Sequence, residues 1–169
     1  MAQSVKPIAE SYWVSAGRFL AGEYPGSTDA EAARARLERF RDAGVEVFID
    51  VTEDGELAPY AELLDGAIHE RHPIRDVSVP ADPSIMIGIL DSIDRHLQAG
   101  RTVYVHCWGG VGRTGTVVGC WLVRHGLDGQ AALERLEALF ADNAKATTRS
   151  SPETDEQRAY VKQWGRYDR

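Results

Sequence analysis

Hydrophobic positions along this 169-residue chain alternate between strand-like runs and helix-like repeats. Apolar and β-branched runs predict a hairpin and three strands, at residues 11–24, 45–51, 68–74 and 101–107. Apolar residues at helical spacing predict five longer helices, at residues 28–44, 84–99, 113–126, 129–140 and from about 150 onward. Strands that alternate with helices predict an α/β fold, with a central, mostly parallel sheet of four to five strands flanked by helices.

Two polar segments between these elements carry acids or hydroxyls but predict little chemistry. The acids of loop 52–57 are expected to serve a turn and helix caps rather than a metal site. His69 and His72 lie three apart on a predicted strand and face opposite ways, which also disfavours a metal site. The Thr/Ser-rich stretch 142–151 is expected to be a mobile loop.

Length and charge narrow the class of protein. A chain of 169 residues predicts a single domain spanning 1–169. Nineteen Lys and Arg against 26 Asp and Glu give a net charge of −7, which argues against a nucleic-acid partner and a polybasic membrane anchor. No stretch approaches the roughly 20 apolar residues of a membrane span, so no membrane partner is expected.

Cysteine usage and the first residues bear on the compartment. The chain has two cysteines, Cys107 and Cys120, too few for a disulfide scaffold. Residues 1–7 contain no apolar segment of the kind that a signal peptide needs. A cytoplasmic location is therefore expected. Cys120 falls in the most apolar predicted helix and is expected to be a core residue, with a redox role as the lesser alternative.

The strand at 101–107 leads into a glycine-dense turn and then into a helix near Arg113. Backbone N–H groups at such a junction lack helical partners and point into one concavity, which binds anions. Arg113 can add a planar fork of donors for two phosphate oxygens. Cys107 lies at the rim, where amide hydrogens and a cation favour the thiolate form, which is the nucleophile. His106 is expected to fix the loop by bonding a neighbouring carbonyl.

The string from His106 to Gly115 resembles the phosphate-binding loop of the cysteine-based protein tyrosine phosphatase superfamily, HCxxGxxR followed by Ser or Thr. In size and layout the chain is similar to the small, atypical dual-specificity phosphatases. The resemblance implies that Cys107 is the nucleophile, that Arg113 binds the phosphoryl oxygens and that Thr114 assists breakdown of a phosphocysteine. It also implies that backbone amides bind the phosphate, those of Trp108, Gly109, Gly110, Val111 and Gly112.

Two further residues match the family more weakly. Asp76, four residues before Pro80, resembles the family's general acid, although a surface turn aspartate is the alternative. Asp82 competes for that role but precedes Pro83 and Ser84, and it is better explained as a helix cap. Gln157 resembles the glutamine that positions the attacking water in many members, and a surface helix glutamine is the alternative.

The predicted function is hydrolysis of phosphotyrosine monoesters, extending to phosphoserine and phosphothreonine, without metal or other cofactor. The expected partner is a phosphorylated protein or peptide, and phosphate, sulfate or vanadate should occupy the loop. Three alternatives stay open: a weakly active phosphoprotein-binding module, a sulfurtransferase, and a phosphatase for a phosphoinositide or an RNA 5′-phosphate. Relatives that act on inositol polyphosphates tend to carry lysines where this loop has Trp108 and Val111, which disfavours such substrates.

Overall fold

The computed structural model describes residues 4–168, and its elements follow the predicted order. The strands are β1 Ser11–Ser15, β2 Phe19–Gly22, β3 Val45–Asp50, β4 Ile68–Arg71 and β5 Thr102–His106. The α-helices are α1 Ala30–Asp42, α2 Pro83–Gln98, α3 Gly112–Arg124, α4 Gly129–Phe140 and α5 Asp155–Gln163. Short 3-10 helices lie at Ala61–Leu63, Ala144–Thr147 and Trp164–Arg166.

The five strands form one sheet in the order β1-β2-β5-β3-β4. Strands β2, β5, β3 and β4 pair in parallel, and only β1 runs antiparallel, as the partner of β2 in the predicted hairpin. The α/β fold class, with a mostly parallel sheet flanked by helices, is therefore confirmed. Strand β5 lies in the middle of the sheet, so its carboxyl end opens at the centre of one edge.

Two hydrophobic clusters cover the two faces of the sheet. The larger one packs α2, α3, α4 and α5 against one face, and Val117 and Val118 place α3 at its centre. The smaller cluster packs α1 against the other face through Leu37 and Phe40. Helix α3 is buried along most of its length, which fits its nearly continuous apolar sequence. The loop between β5 and α3 is thus held at both ends by buried elements.

Several predicted bounds differ from the structure. The last helix begins at Asp155 because a capping box between Thr154 and Gln157 fixes its start. The segment 142–151 is not a loop throughout, since Ala144–Thr147 forms a 3-10 helix.

The predicted cap of α2 is confirmed, because Asp82 accepts a hydrogen bond from the Ser84 N–H at 2.8 Å. No helix within residues 4–168 is long and apolar enough to cross a bilayer.

Candidate active site

The phosphate loop, residues 107–113, joins the carboxyl end of β5 to the first turn of α3, the sheet edge where open α/β folds bind ligands. The Cys107 side chain points into this loop. Its Sγ accepts a hydrogen bond from the Gly110 N–H at 3.3 Å and another from the Thr114 hydroxyl at 3.0 Å. The loop therefore holds a buried sulfur beside the first amides of α3, which have no partner within the helix.

Gly110 is the position at which the loop needs a glycine most. Its φ is +73°, in the left-handed region. A Cβ there would lie 2.3 Å from the carbonyl carbon of Gly22 at the end of β2. The loop thus packs directly on backbone of the neighbouring strand, and this contact fixes the direction of the Gly110 N–H toward sulfur.

Arg113 lies buried under the loop, with its guanidinium held by fixed partners. Nη1 and Nη2 donate to the two Glu56 oxygens at 2.8 Å and 2.6 Å, and Nη1 also donates to the Ile74 carbonyl at 2.9 Å. The buried Arg113 Nε has no hydrogen-bond partner within residues 4–168. One donor on the side edge of the guanidinium is therefore free for an anion, while the far end is anchored.

Arg113 and Glu56 each stabilise the charged form of the other. Burial lowers the pKa of Arg113, but the hydrogen bonds to Glu56 and the nearby charges outweigh it and raise the pKa overall. The hydrogen bond from Arg113 lowers the pKa of Glu56 below its ordinary value, against a smaller opposing effect of burial. Both groups are thus charged at neutral pH, and the ion pair positions the cation.

Asp76 lies beside the same guanidinium. Its Oδ1 is 3.2 Å from Arg113 Nη2, and its side chain is half exposed. The next residue, Val77, has φ 57°, a left-handed conformation that costs a β-branched residue about 1–3 kcal/mol. The acid loop, residues 74–80, is therefore held in a strained shape that places a carboxylate next to the phosphate loop.

A cavity of about 340 Å³ opens above Cys107. The exposed side chains of Val77 and Trp108 form apolar edges at its mouth. Two ion pairs line the rest of its wall, Lys145 with Glu23 and Arg149 with Glu153. Lys145 Nζ also donates to the Gly109 carbonyl at 2.7 Å, which ties the 3-10 helix 144–147 to the phosphate loop.

His106 is buried below the loop and supports it. One ring nitrogen, Nδ1, bonds the Cys107 carbonyl oxygen at 2.9 Å, and the other bonds the Tyr60 hydroxyl. Burial lowers the pKa of His106 below its ordinary value, against the opposing charge of Asp50. A neutral imidazole fits the carbonyl contact expected from the sequence.

The other two sequence-predicted positions, Gln157 and Cys120, are both fully buried. Gln157 is fully buried and packs under Gly112, where a Cβ on that glycine would be 3.0 Å from its Nε2. The alternative of a surface glutamine is therefore wrong. Cys120 is free and fully buried in α3. Burial raises the pKa of the Cys120 thiol well above its ordinary value, which fits a core residue.

Sequence reasoning missed Glu56, Lys145 and Arg149. Glu56 takes part in the expected turn, since its Oε1 accepts a hydrogen bond from the Glu53 N–H at 3.0 Å, but it also binds Arg113 through both oxygens. One acid among several in a loop carries no signal for a partner 57 positions away. Lys145 and Arg149 fall in a segment whose composition predicts a loop, and only the fold brings them to the cavity.

The arrangement can bind a tetrahedral anion and attack it. Loop amides and the free Arg113 Nε can hold anionic oxygens, and Cys107 Sγ lies at the cavity floor as a nucleophile. Asp76 lines the same cavity and can exchange a proton with a group bound there. Among residues 4–168, no group of three or more His, Cys, Asp or Glu side chains could hold a metal ion.

Known proteins similar to this chain include several that are named phosphatases. It is 32% identical over 92 residues to a putative tyrosine phosphatase, 067L, of Invertebrate iridescent virus 3, covering 52% of this chain and 38% of the relative. It is 29% identical over 114 residues to phosphatidylglycerophosphate phosphatase PTPMT2 of Arabidopsis thaliana, covering 63% and 48%. The chain thus spans less than half the length of either relative.

The fold is also that of a solved phosphatase. The crystal structure of Tk-PTP in its active form superposes with a TM-score of 0.76 at 24% identity, covering 93% of this chain and 97% of that one. The family model described as "Polymorphic toxin system, DSP-PTPase phosphatase" matches residues 22–127 and so includes β5, the phosphate loop and α3. Because that match covers more than half of the chain, the chain belongs to this family of DSP-PTPase phosphatases.

Proposed function

We propose that this protein hydrolyses phosphotyrosine monoesters, and phosphoserine and phosphothreonine more slowly, through a phosphocysteine intermediate. One observation carries the proposal: the Cys107 sulfur accepts two hydrogen bonds at the floor of a cavity that Arg113 also lines, and the Arg113 Nε has no partner in the described part of the chain, residues 4–168. A nucleophile and an oxyanion site lie together there. The chemistry needs no metal, because backbone amides and a guanidinium supply the positive charge.

In the first step the Cys107 thiolate attacks phosphorus in line, and the bond from phosphorus to the leaving oxygen breaks. Protonated Asp76 gives its proton to that oxygen. In the second step the Asp76 carboxylate takes a proton from water, whose oxygen attacks phosphorus and displaces the thiolate. The Thr114 hydroxyl, 3.0 Å from the sulfur, stabilises the departing anion. Arg113 and the loop amides hold the equatorial oxygens through both steps.

The mouth of the cavity supports an aryl phosphate as the preferred substrate. Val77 and Trp108 are more than half exposed, and both line the cavity that holds Cys107. An aromatic ring leaving the phosphate would pack between them and gain contact area that a seryl side chain lacks. This supports phosphotyrosine ahead of phosphoserine and phosphothreonine.

A phospholipid monoester is the second candidate. Lys145 and Arg149 line the cavity and could bind a charged headgroup, and one relative is named a phosphatidylglycerophosphate phosphatase. Each cation already pairs with a carboxylate, Glu23 or Glu153, which weakens that case.

An assay of phosphate release ranks the candidates. It compares a phosphotyrosyl peptide, a phosphoseryl peptide and phosphatidylglycerophosphate vesicles at matched concentrations. Higher kcat/KM on the vesicles would favour the lipid.

The variant Cys107→Ser tests the covalent step. We expect turnover of nitrophenyl phosphate to be abolished, because a hydroxyl is a much weaker nucleophile than a thiolate. Binding of a phosphotyrosyl peptide, measured by calorimetry, should persist because Arg113 and the loop amides remain. In the wild type, vanadate should inhibit and EDTA should have no effect. Retained turnover in the variant contradicts the proposal, and bound peptide without wild-type turnover indicates a binding module.

A further inference from the structure

The buried side chain of Gln157 links the start of α5 to the acid loop. Its Oε1 accepts hydrogen bonds from the Glu153 and Thr154 N–H groups, both at 3.1 Å. Its Nε2 donates to the carbonyl oxygen of Ser78 at 3.2 Å. Both acceptor positions of the amide oxygen are therefore used, and one amide N–H crosses to the acid loop.

Ser78 comes two residues after Asp76 in the acid loop. Asp76 is held on its other side by Arg113 Nη2 at 3.2 Å. Val77, between the two anchored residues, has φ 57°, a conformation that valine rarely adopts. Val77 thus lies between a side-chain anchor at Asp76 and a backbone anchor at Ser78. Loss of either anchor would let Val77 relax and would shift Asp76.

Gln157 does not line the cavity around Cys107, whereas Gly112 and Glu153 do. Gly112 lies over it, with the ideal Cβ position 3.0 Å from Gln157 Nε2. A water that attacks phosphorus must lie in the cavity. The amide of Gln157 is therefore poorly placed for such a water, and well placed to hold the acid loop.

We propose that Gln157 is a positioning residue that holds Asp76 in place for proton transfer, through its hydrogen bond to the Ser78 carbonyl. This inference rests on the proposed function. It assigns Gln157 to the step in which the leaving oxygen is protonated, and not to the attack of water. The two roles affect different kinetic constants, because kcat/KM reports only the steps up to release of the leaving group.

The main test is Gln157→Glu, which keeps acceptor oxygens for the start of α5 but loses the N–H that binds Ser78. For phenyl phosphate, whose leaving group needs a proton, we expect kcat/KM to fall about 10-fold or more. For dinitrophenyl phosphate, whose leaving group needs none, kcat/KM should stay within about twofold. Combined with Asp76→Asn, the substitution should cost little more than Asp76→Asn alone.

Thr154→Ala is the matched control. Thr154 Oγ1 accepts the Gln157 N–H at 3.1 Å as the cap of α5, so this variant weakens the helix start without removing the bond to Ser78. We expect it to lower thermal stability and to leave the ratio of kcat/KM between the two substrates unchanged. An equal change of that ratio in Thr154→Ala would assign the effect to helix stability and overturn the proposal.

Two other outcomes also overturn it. A fall in kcat with kcat/KM unchanged on both substrates would assign Gln157 to the water step. Effects of Gln157→Glu and Asp76→Asn that multiply would mean that Gln157 acts independently of Asp76. Amide hydrogen exchange of residues 76–80 provides a readout without turnover, and it should speed up in Gln157→Glu and not in Thr154→Ala. Failure of the proposed function has a different signature: no phosphate release by the wild type, or retained release by Cys107→Ser.

Discussion

A single carboxylate, that of Glu56, sets the orientation of the cation at the site. It binds Nη1 and Nη2 of Arg113 and leaves the buried Nε as a donor without a partner within residues 4–168. A planar guanidinium that is held at one end by two hydrogen bonds has little rotational freedom. The free donor is therefore fixed before any anion binds, which reduces the entropy lost on binding.

Glu56→Gln tests this role. The amide keeps one acceptor oxygen for Arg113 but loses the negative charge and the second of the two hydrogen bonds. We expect kcat/KM for nitrophenyl phosphate to fall by about 10- to 100-fold, because small misplacements of a positioned group are costly. The inhibition constant of vanadate should rise in parallel. Glu53→Gln, exposed in the same loop, is the control for loss of one negative charge.

The opposite result is equally informative. If Glu56 competes with anions for Arg113, the inhibition constant of vanadate should fall in Glu56→Gln, and positioning by Glu56 is contradicted.

The contact between Glu56 and Arg113 could not be predicted from the sequence. Cys107, Arg113 and Thr114 stand within one motif and could be placed by spacing, whereas the Glu56 contact depends on how β3 and β5 align in the sheet.

Among the secondary structure elements, edge strand β4 is fastened to helix α2 by Glu70. Its carboxylate accepts hydrogen bonds from Ser92 at 2.9 Å, from His96 and from His72. Burial alone would raise the pKa of Glu70, but these hydrogen bonds outweigh it and lower the pKa to about 2. The charged carboxylate is therefore favoured in the folded state.

Glu70→Gln should destabilise the protein in a pH-dependent way. The unfolded chain binds a proton at this carboxyl near pH 4.5, and the folded one only near pH 2. Stability from the charged form is thus complete above pH 4.5 and is lost as pH falls toward 2. We expect a deficit of roughly 2–3 kcal/mol in the unfolding free energy at pH 7.

Urea denaturation of both proteins at several pH values measures that deficit. The wild type and Glu70→Gln should converge in stability as the pH is lowered below about 4.5. Glu38→Gln on the exposed face of α1 is the matched control for charge, and it should show no such convergence. A deficit that is constant from pH 7 to pH 3 would mean that packing, and not charge, explains the effect.

Element positions were predictable where one signal dominated and less so where two competed. The four-residue repeat of α2 and its Asp82 cap fixed both existence and start. For α5, the serines and proline at 150–152 indicated an earlier start than the capping box of Thr154 and Gln157 allows. Tertiary contacts chose between these signals, among them the bond from Ser151 Oγ to the Val111 carbonyl at 2.6 Å.

Across the whole molecule, a net charge of −7 surrounds a cavity that has no excess of cationic side chains. The ionic side chains that line it are three cations and three carboxylates, namely Arg113, Lys145, Arg149, Glu23, Asp76 and Glu153. An anionic substrate is therefore repelled at long range and held only by short hydrogen bonds in the loop. Electrostatic steering toward this site should be absent.

The salt dependence of kcat/KM tests this distribution. From about 10 mM to about 0.1 M salt the screening length falls from about 30 to about 10 Å, which removes the repulsion. We expect kcat/KM for nitrophenyl phosphate to rise by less than about threefold, opposite to a steered enzyme. Chloride and acetate should behave alike, which excludes competition by a specific anion. A steep fall with salt would indicate a cationic approach path.

The sequence sufficed for the α/β class and the phosphate loop because periodicity and one continuous motif encode them. It could not predict the cavity, whose lining comes from separate stretches around Glu23, Asp76, Cys107, Lys145 and Glu153. These stretches come together because of the strand order and the docking of α5. Neither can be predicted from the spacing of residues within one stretch of sequence.

The contact between Gly22 and Gly110 couples the residues allowed at two distant parts of the chain. With only 2.3 Å between the Gly110 Cβ position and the Gly22 carbonyl carbon, no L residue fits at 110 while the β2 backbone stays in place. A mutant library that diversifies position 110 alone should return glycine in every active clone. Redesign of this loop must therefore vary residues 22–23 together with residue 110.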